Sequence, residues 1–132
     1  NQPLENFLSE VLDHQDFQLT GIKKNLASGL LDAVAVIGTE YSAGRSVAWV
    51  EGSGQNIWNR SQVKAQATKL SIKHVMASSA LPFFFPAVNI EDTWYGDGGI
   101  RLNAPLSPAM HLGASKILAV SPRANPTIRV FS

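Results

Sequence analysis

The sequence predicts an α/β fold: one domain with a parallel sheet flanked by helices. Three observations predict it. Segments with apolar residues at helical spacing alternate along the chain with short runs rich in β-branched residues. One of those runs, Ala33 to Ile37, is apolar at every position, which suits a strand covered on both faces as in a parallel sheet. The 132 residues, 45% hydrophobic, suffice for one core and not for two ordinary ones.

Leu4, Phe7, Leu8, Val11 and Leu12 recur at helical spacing in PLENFLSEVL, with Pro3 suited to a first turn, so a helix is expected over 3–12 until DHQD breaks it. Thr20 is placed to cap a second helix carrying Ile22, Leu26 and Leu30, and Gly29 to end it. The runs AVAVIGTEY and SVAWVEG, separated by Ser-Ala-Gly-Arg, read as a hairpin or as two consecutive strands, and GSGQNIWNRS as a loop. Helix returns near Lys69, with Ile72, Val75, Met76 and Ala80 on one face. Leu81-Pro82 stops it, since the residue before proline is pushed from helical geometry. TWY reads as a short strand, GDGG as a tight turn, LSPAMHLG as a short helix closed by Gly113, and KILAV as another buried strand. The last residues, PTIRVFS, begin an apolar run that stops, as expected of a piece of a larger domain.

Eleven Lys and Arg against ten Asp and Glu leave a formal charge of +1, scattered, which offers no electrostatic footprint for nucleic acid. Zero cysteines exclude a disulfide scaffold, a thiol nucleophile and a thiolate metal site. His14, His74 and His111 form neither H-x-x-x-H nor H-E-x-x-H, so no metal is expected. The apolar stretch ALPFFFPAV falls well short of the ~20 residues of a membrane-spanning helix and holds two prolines. No signal peptide is expected at the start of the chain, and a cytoplasmic location is the default expectation.

A G-x-S-x-G turn presents a serine hydroxyl on a strained elbow. None occurs. Ser42, in Glu40-Tyr41-Ser42-Ala43-Gly44, lacks the first glycine and reads as a turn residue. Gly52-Ser53-Gly54 precedes a polar loop and matches no phosphate-binding pattern. Ser78 and Ser79 close a predicted helix, where small residues allow close packing, and His111 suits a helix end. Asp97 has two readings. It is a turn residue whose carboxylate bonds nearby amides, or a base presented at a strand end with Gly96, Gly98 and Gly99 letting the backbone fold tightly behind it. Three aromatics between prolines, Phe83, Phe84 and Phe85, line an acyl groove or contact lipid on one reading. On the other, which we favour for at least two of them, they pack in the core.

The run HVMASSALPFFFPAVNIEDTWYGDGGIRLNAPLSPAMHLGASKILAV resembles the patatin-like phospholipase family. Its pieces stand in order: Ala77-Ser78-Ser79-Ala80-Leu81-Pro82, Phe84 or Phe85 with Pro86, Asp97-Gly98-Gly99 and Asn103-Ala104-Pro105. Upstream, AVIGTEYSAGRSVAWVEG is similar to the family's strand-turn-strand with a T-x-x-x-x-G-R core, and the resemblance covers residues 1–123.

The resemblance implies a Ser-Asp dyad on a three-layer α/β/α fold with a mostly parallel central sheet, with Asp97 as the aspartate, a lipid or acyl ester as substrate, peripheral membrane contact and no cofactor. It also places the glycine-rich oxyanion loop and the nucleophile serine before this sequence, so the 132 residues are expected to be a partial domain without a nucleophile of its own and without turnover alone. A domain so cut is expected to self-associate or pair with the absent segment through an unpaired strand edge and an apolar face. The alternatives are a non-catalytic binding or regulatory module in which Asp97 is structural, and a self-contained small-molecule-binding domain.

Overall fold

A computed structural model describes residues 2–12, 14, 15, 18–52, 59, 60, 63–101 and 105–120. Ser53 and Gly54, Asn103 and Ala104 of the N-x-P motif and the terminal PTIRVFS lie outside the described residues, as does most of the loop expected at GSGQNIWNRS. In chain order the elements are α1 (Gln2–Val11), α2 (Thr20–Ala27), β1 (Ala33–Glu40), β2 (Arg45–Gly52), β3 (Asn59–Arg60), β4 (Val63–Ala67), α3 (Ile72–Ser78), β5 (Val88–Ile90), β6 (Thr93–Asp97), a 3-10 turn (Gly98–Ile100) and α4 (Ser107–His111).

β1 and β2 form a hairpin, the first of the two arrangements open to the sequence. Their ladder runs from Ala33 opposite Gly52 to Glu40 opposite Arg45. Gly44 closes the turn at φ +60°, a left-handed conformation that favours glycine, and its N–H donates to the Glu40 carbonyl at 2.9 Å. Ser42 is a turn residue here, its hydroxyl donating to the Glu40 carboxylate at 3.0 Å while Arg45 Nε meets the other carboxylate oxygen at 3.1 Å.

The sheet order is β3-β4-β2-β1-β6-β5. Among the described residues only β2 with β4 is parallel and the other four pairings are antiparallel, which corrects the expectation of a mostly parallel sheet. The reason lies in the connection. Parallel neighbours need a long crossover, whereas four residues, 41–44, join β1 to β2 and a two-residue turn joins β5 to β6.

The all-apolar run of β1 is nevertheless covered on both faces. Val34 and Val36 share one face with Val47, Trp49 and Tyr95, against which Leu4 and Leu8 of α1, Leu12 just after it, Ile22 of α2 and Ile72, Met76 and Ala77 of α3 pack. Ala33, Ala35 and Ile37 face the other side with Ala48, Val50 and Ala65, where Leu112, just after α4, packs.

α2 begins at Thr20 with Leu19 in the cap position and no side-chain cap bond, so Thr20 is its first residue and not its cap. Gly29 does follow its end, at φ +79°. β4 is a strand the sequence reading did not anticipate, because Lys64 and Gln66 interrupt any apolar run. KILAV is neither a strand nor buried, with Leu118 and Val120 more than four-fifths exposed. Phe83, Phe84 and Phe85 are likewise exposed, 106%, 80% and 37% respectively, which overturns their assignment to the core. Pro82 and Pro86 bound a turn stacked on Leu81, whose carbonyl accepts from the N–H groups of Phe84 and Phe85, and this turn carries the rings away from the sheet.

α3 opens with a reciprocal cap: His74 N–H and the Ser71 carbonyl bond at 3.1 Å, and Ser71 N–H donates to His74 Nδ1 at 3.0 Å. Burial pushes His74 down to about 4. The folded ring therefore stays neutral while the unfolded one takes up a proton below about 6.5, so stability is full above that pH and is lost as pH falls from about 6.5 towards 4. Allowing for solvent screening, this group alone is expected to cost about 1–2 kcal/mol between pH 7 and pH 5. Urea unfolding at the two pH values checks it: the difference should shrink in His74→Gln, and an unchanged difference would mean that another group sets the acid sensitivity.

Candidate functional site

Asp97 is the last residue of β6, held against β1 opposite Gly38. Two backbone contacts fix it. Its N–H donates to the Ala80 carbonyl at 3.0 Å, just beyond the end of α3, and its own carbonyl accepts from the buried Thr39 hydroxyl at 2.8 Å. Thr39 opens the T-x-x-x-x-G-R stretch, so that pattern supplies a buttress for the aspartate, which the reading of Asp97 from its own turn did not anticipate.

The carboxylate itself accepts from Gly99 N–H at 3.1 Å and caps the 3-10 turn. The turn-residue reading of Asp97 thus describes a bond that is present. The same bond fixes the orientation of a carboxylate that remains partly accessible.

Gly96, Gly98 and Gly99 are not among the glycines with positive φ. Their contribution is clearance. A Cβ on Gly98 would strike the Ile37 carbonyl oxygen, which is backbone and cannot swing aside, while one on Gly96 would meet the Tyr41 hydroxyl. β6 can therefore pass into the 3-10 turn tight against β1 only with glycine at 98. A Cβ on Gly99 would lie 3.3 Å from the Asp97 carboxylate, a side chain able to adjust.

Among the described residues no serine hydroxyl bonds Asp97. Ser79 Oγ donates to the Val75 carbonyl at 2.9 Å, within its own helix, and Ser42 is engaged by Glu40. His111 Nδ1 lies 2.8 Å from the Ser107 carbonyl and 3.2 Å from the Ser107 hydroxyl, a local arrangement at the end of α4. Among the described residues no three His, Asp or Glu side chains converge as metal ligands, and no helix is long and apolar enough to cross a membrane.

The carboxylate does not line the cleft that opens beside the buried Trp49. That cleft, of about 440 Å³, lies along the helix-bearing face of the sheet and is walled by Glu40, Arg45, Lys64, His74, Glu91 and Tyr95 among others. At its floor Trp49 makes edge-on contacts with the rings of His74 and Tyr95, each at 4.9 Å between centroids. Burial, with the Glu40 carboxylate adding to it, raises the Tyr95 hydroxyl above its ordinary value, so it stays protonated as a hydrogen-bonding group.

Comparison with known proteins gives one match and two blanks. The model of the family described as "Patatin-like phospholipase" matches residues 1–110, from α1 through most of α4, and includes Asp97 and the motifs on either side of it. No curated protein and no solved structure matches the chain significantly. With five-sixths of its length under the family model, the chain belongs to the patatin-like phospholipase family.

Proposed function

We propose that the chain supplies the catalytic aspartate of a lipid acyl hydrolase, with Asp97 as the base of a serine-aspartate dyad whose serine comes from sequence outside these 132 residues. The observation that carries this reading is the support of Asp97. A hydroxyl, a carbonyl and a glycine clearance converge on one strand end and leave an accessible carboxylate there. The absence of any G-x-S-x-G turn from the sequence supports an external nucleophile.

In this mechanism Asp97 takes the proton of the serine hydroxyl as its oxygen attacks the ester carbonyl, then gives that proton to the departing alcohol oxygen. An acyl-serine remains. Asp97 next takes a proton from water as the water oxygen attacks the acyl carbonyl, and returns it to the serine as the fatty acid leaves. Oxyanion donors, typically worth ~2.7–4 kcal/mol, would come from the same outside segment as the serine. Phospholipids, lysophospholipids and neutral lipid esters all present the ester this route cleaves, and no cofactor enters it. Exposed Phe83, Phe84 and Phe85, linked to Asp97 through the Ala80 carbonyl at the foot of their turn, support a lipid-facing surface beside the site.

Release of fatty acid from phosphatidylcholine vesicles tests the proposal. It is expected when the chain is joined to, or mixed with, a segment bearing the serine turn, and not from the 132 residues alone. Equal release with and without that segment would overturn the division of the dyad.

A further inference from the structure

We propose that the cleft on the helix-bearing face of the sheet is a binding site for a small phosphate-bearing anion, held by Lys64 and Lys69. By register Lys64 and Gln66 of β4 lie opposite Val47 and Trp49, on the face that elsewhere forms the apolar core. Two polar residues on the inner face of a strand are not explained by packing, and both line the cleft. Ile90 and Glu91 line its other wall although three strands separate β4 from β5, so the sheet curls far enough to make a concave site. Its volume, about 440 Å³, falls in the ~300–1,000 Å³ range of small-molecule sites.

The charges favour an anion. Of the cations on the wall, Arg45 is engaged by Glu40 at 3.1 Å, while no carboxylate lies within ion-pair distance of Lys64 or Lys69 among the described residues. Among the described residues lining the cleft Glu91 is the only other acid, against both lysines. Neutral donors accompany them. His74 Nδ1 accepts from Ser71 N–H, which places the ring proton of the neutral form on Nε2, and the Gln66 side-chain amide adds two more N–H groups. Two compact ammonium charges suit the spread charge of a phosphate, whereas a planar carboxylate is best matched by an arginine fork, and the one here is occupied. An acyl chain would find few apolar partners on these walls.

The site stands apart from the Asp97 proposal, so either can fail without the other. Isothermal titration of the chain with inorganic phosphate and with glycerol 3-phosphate, at ionic strength matched with sodium chloride, tests it. Saturable binding of at least one is expected. It should weaken at least tenfold in Lys64→Gln and in Lys69→Gln, with Lys24→Gln, a charge change on α2, binding as the unaltered chain does. Glycerol 3-phosphate at least tenfold tighter than phosphate would identify a lipid headgroup as the source, and equal affinity a free phosphate. Unfolding midpoints of the variants show whether any loss is a folding defect, and Lys69→Gln, on an exposed residue, is the variant least exposed to that ambiguity. Absence of saturable binding, or equal weakening in all three variants, would overturn the proposal.

Discussion

Asp97→Asn is expected to reduce fatty-acid release by the serine-complemented protein by about 10²–10⁴-fold, the usual share of a general base. That corresponds to roughly 3–5.5 kcal/mol of barrier. The substitution is chosen because it should leave the fold alone. An amide oxygen at the same position still accepts from Gly99 N–H, and the bonds to Ala80 and from Thr39 use only the backbone of residue 97. What disappears is basicity, since an amide cannot take the serine proton. Unfolding midpoints within measurement error, together with collapsed turnover, would separate a catalytic aspartate from a structural one. A variant that lost stability and activity together would instead identify Asp97 as a turn residue.

Trp49→Ala is expected to lower the unfolding free energy by about 3–5 kcal/mol, a large part of the ~5–15 kcal/mol typical of a domain. Trp49 is 1% exposed and is the largest fully buried side chain among the described residues. Its ring lies over Gly38, where a Cβ would collide with it, and between the rings of His74 and Tyr95. The cavity left by removing it would thus open against β1, β6 and α3 together, and no neighbouring backbone can close it without breaking the ladder. Denaturant unfolding measures the loss, and a change below about 1 kcal/mol would mean that this cluster is not the centre of the core. Because Gly38 lies opposite Asp97, loosening there should also reach the aspartate.

The helices and the aspartate turn were legible because their signals are local. Pro3 with the Leu4-Leu8-Leu12 spacing needs only its own segment to read as α1, and Asp97 among its glycines likewise marks the end of β6. Strand direction was not legible, because Ala33 to Ile37 is apolar for a reason that two architectures share. Burial on both faces is the rule for parallel sheets, yet here an antiparallel hairpin reaches it with helices on one side and the segment after α4 on the other. Gly44 was the available signal for the hairpin, as a residue placed to take positive φ in a short turn. β4 was hidden for a different reason. Val63-Lys64-Ala65-Gln66-Ala67 does alternate, but with lysine and glutamine on the inner face and alanine for two of its three apolar residues it lacks the β-branched and aromatic enrichment that marks a strand. Phe83 to Phe85 failed as a core expectation because hydrophobicity alone sets no direction; the turn between Pro82 and Pro86 does, and Phe83 adopts it at φ +69°. At the site, Thr39 is distant in sequence from Asp97, and only the pairing of β1 with β6 brings its hydroxyl to the aspartate carbonyl.

The most direct measurement is intact mass after treatment with a fluorophosphonate, which labels activated serines covalently. It is made on the 132-residue chain and, beside it, on a form extended to carry the serine turn. The account predicts no adduct on the chain alone and one adduct on the extended form, at a serine outside these residues, formed far more slowly when Asp97 is Asn. An adduct on any serine of the 132-residue chain would contradict it, by placing the nucleophile within the chain itself.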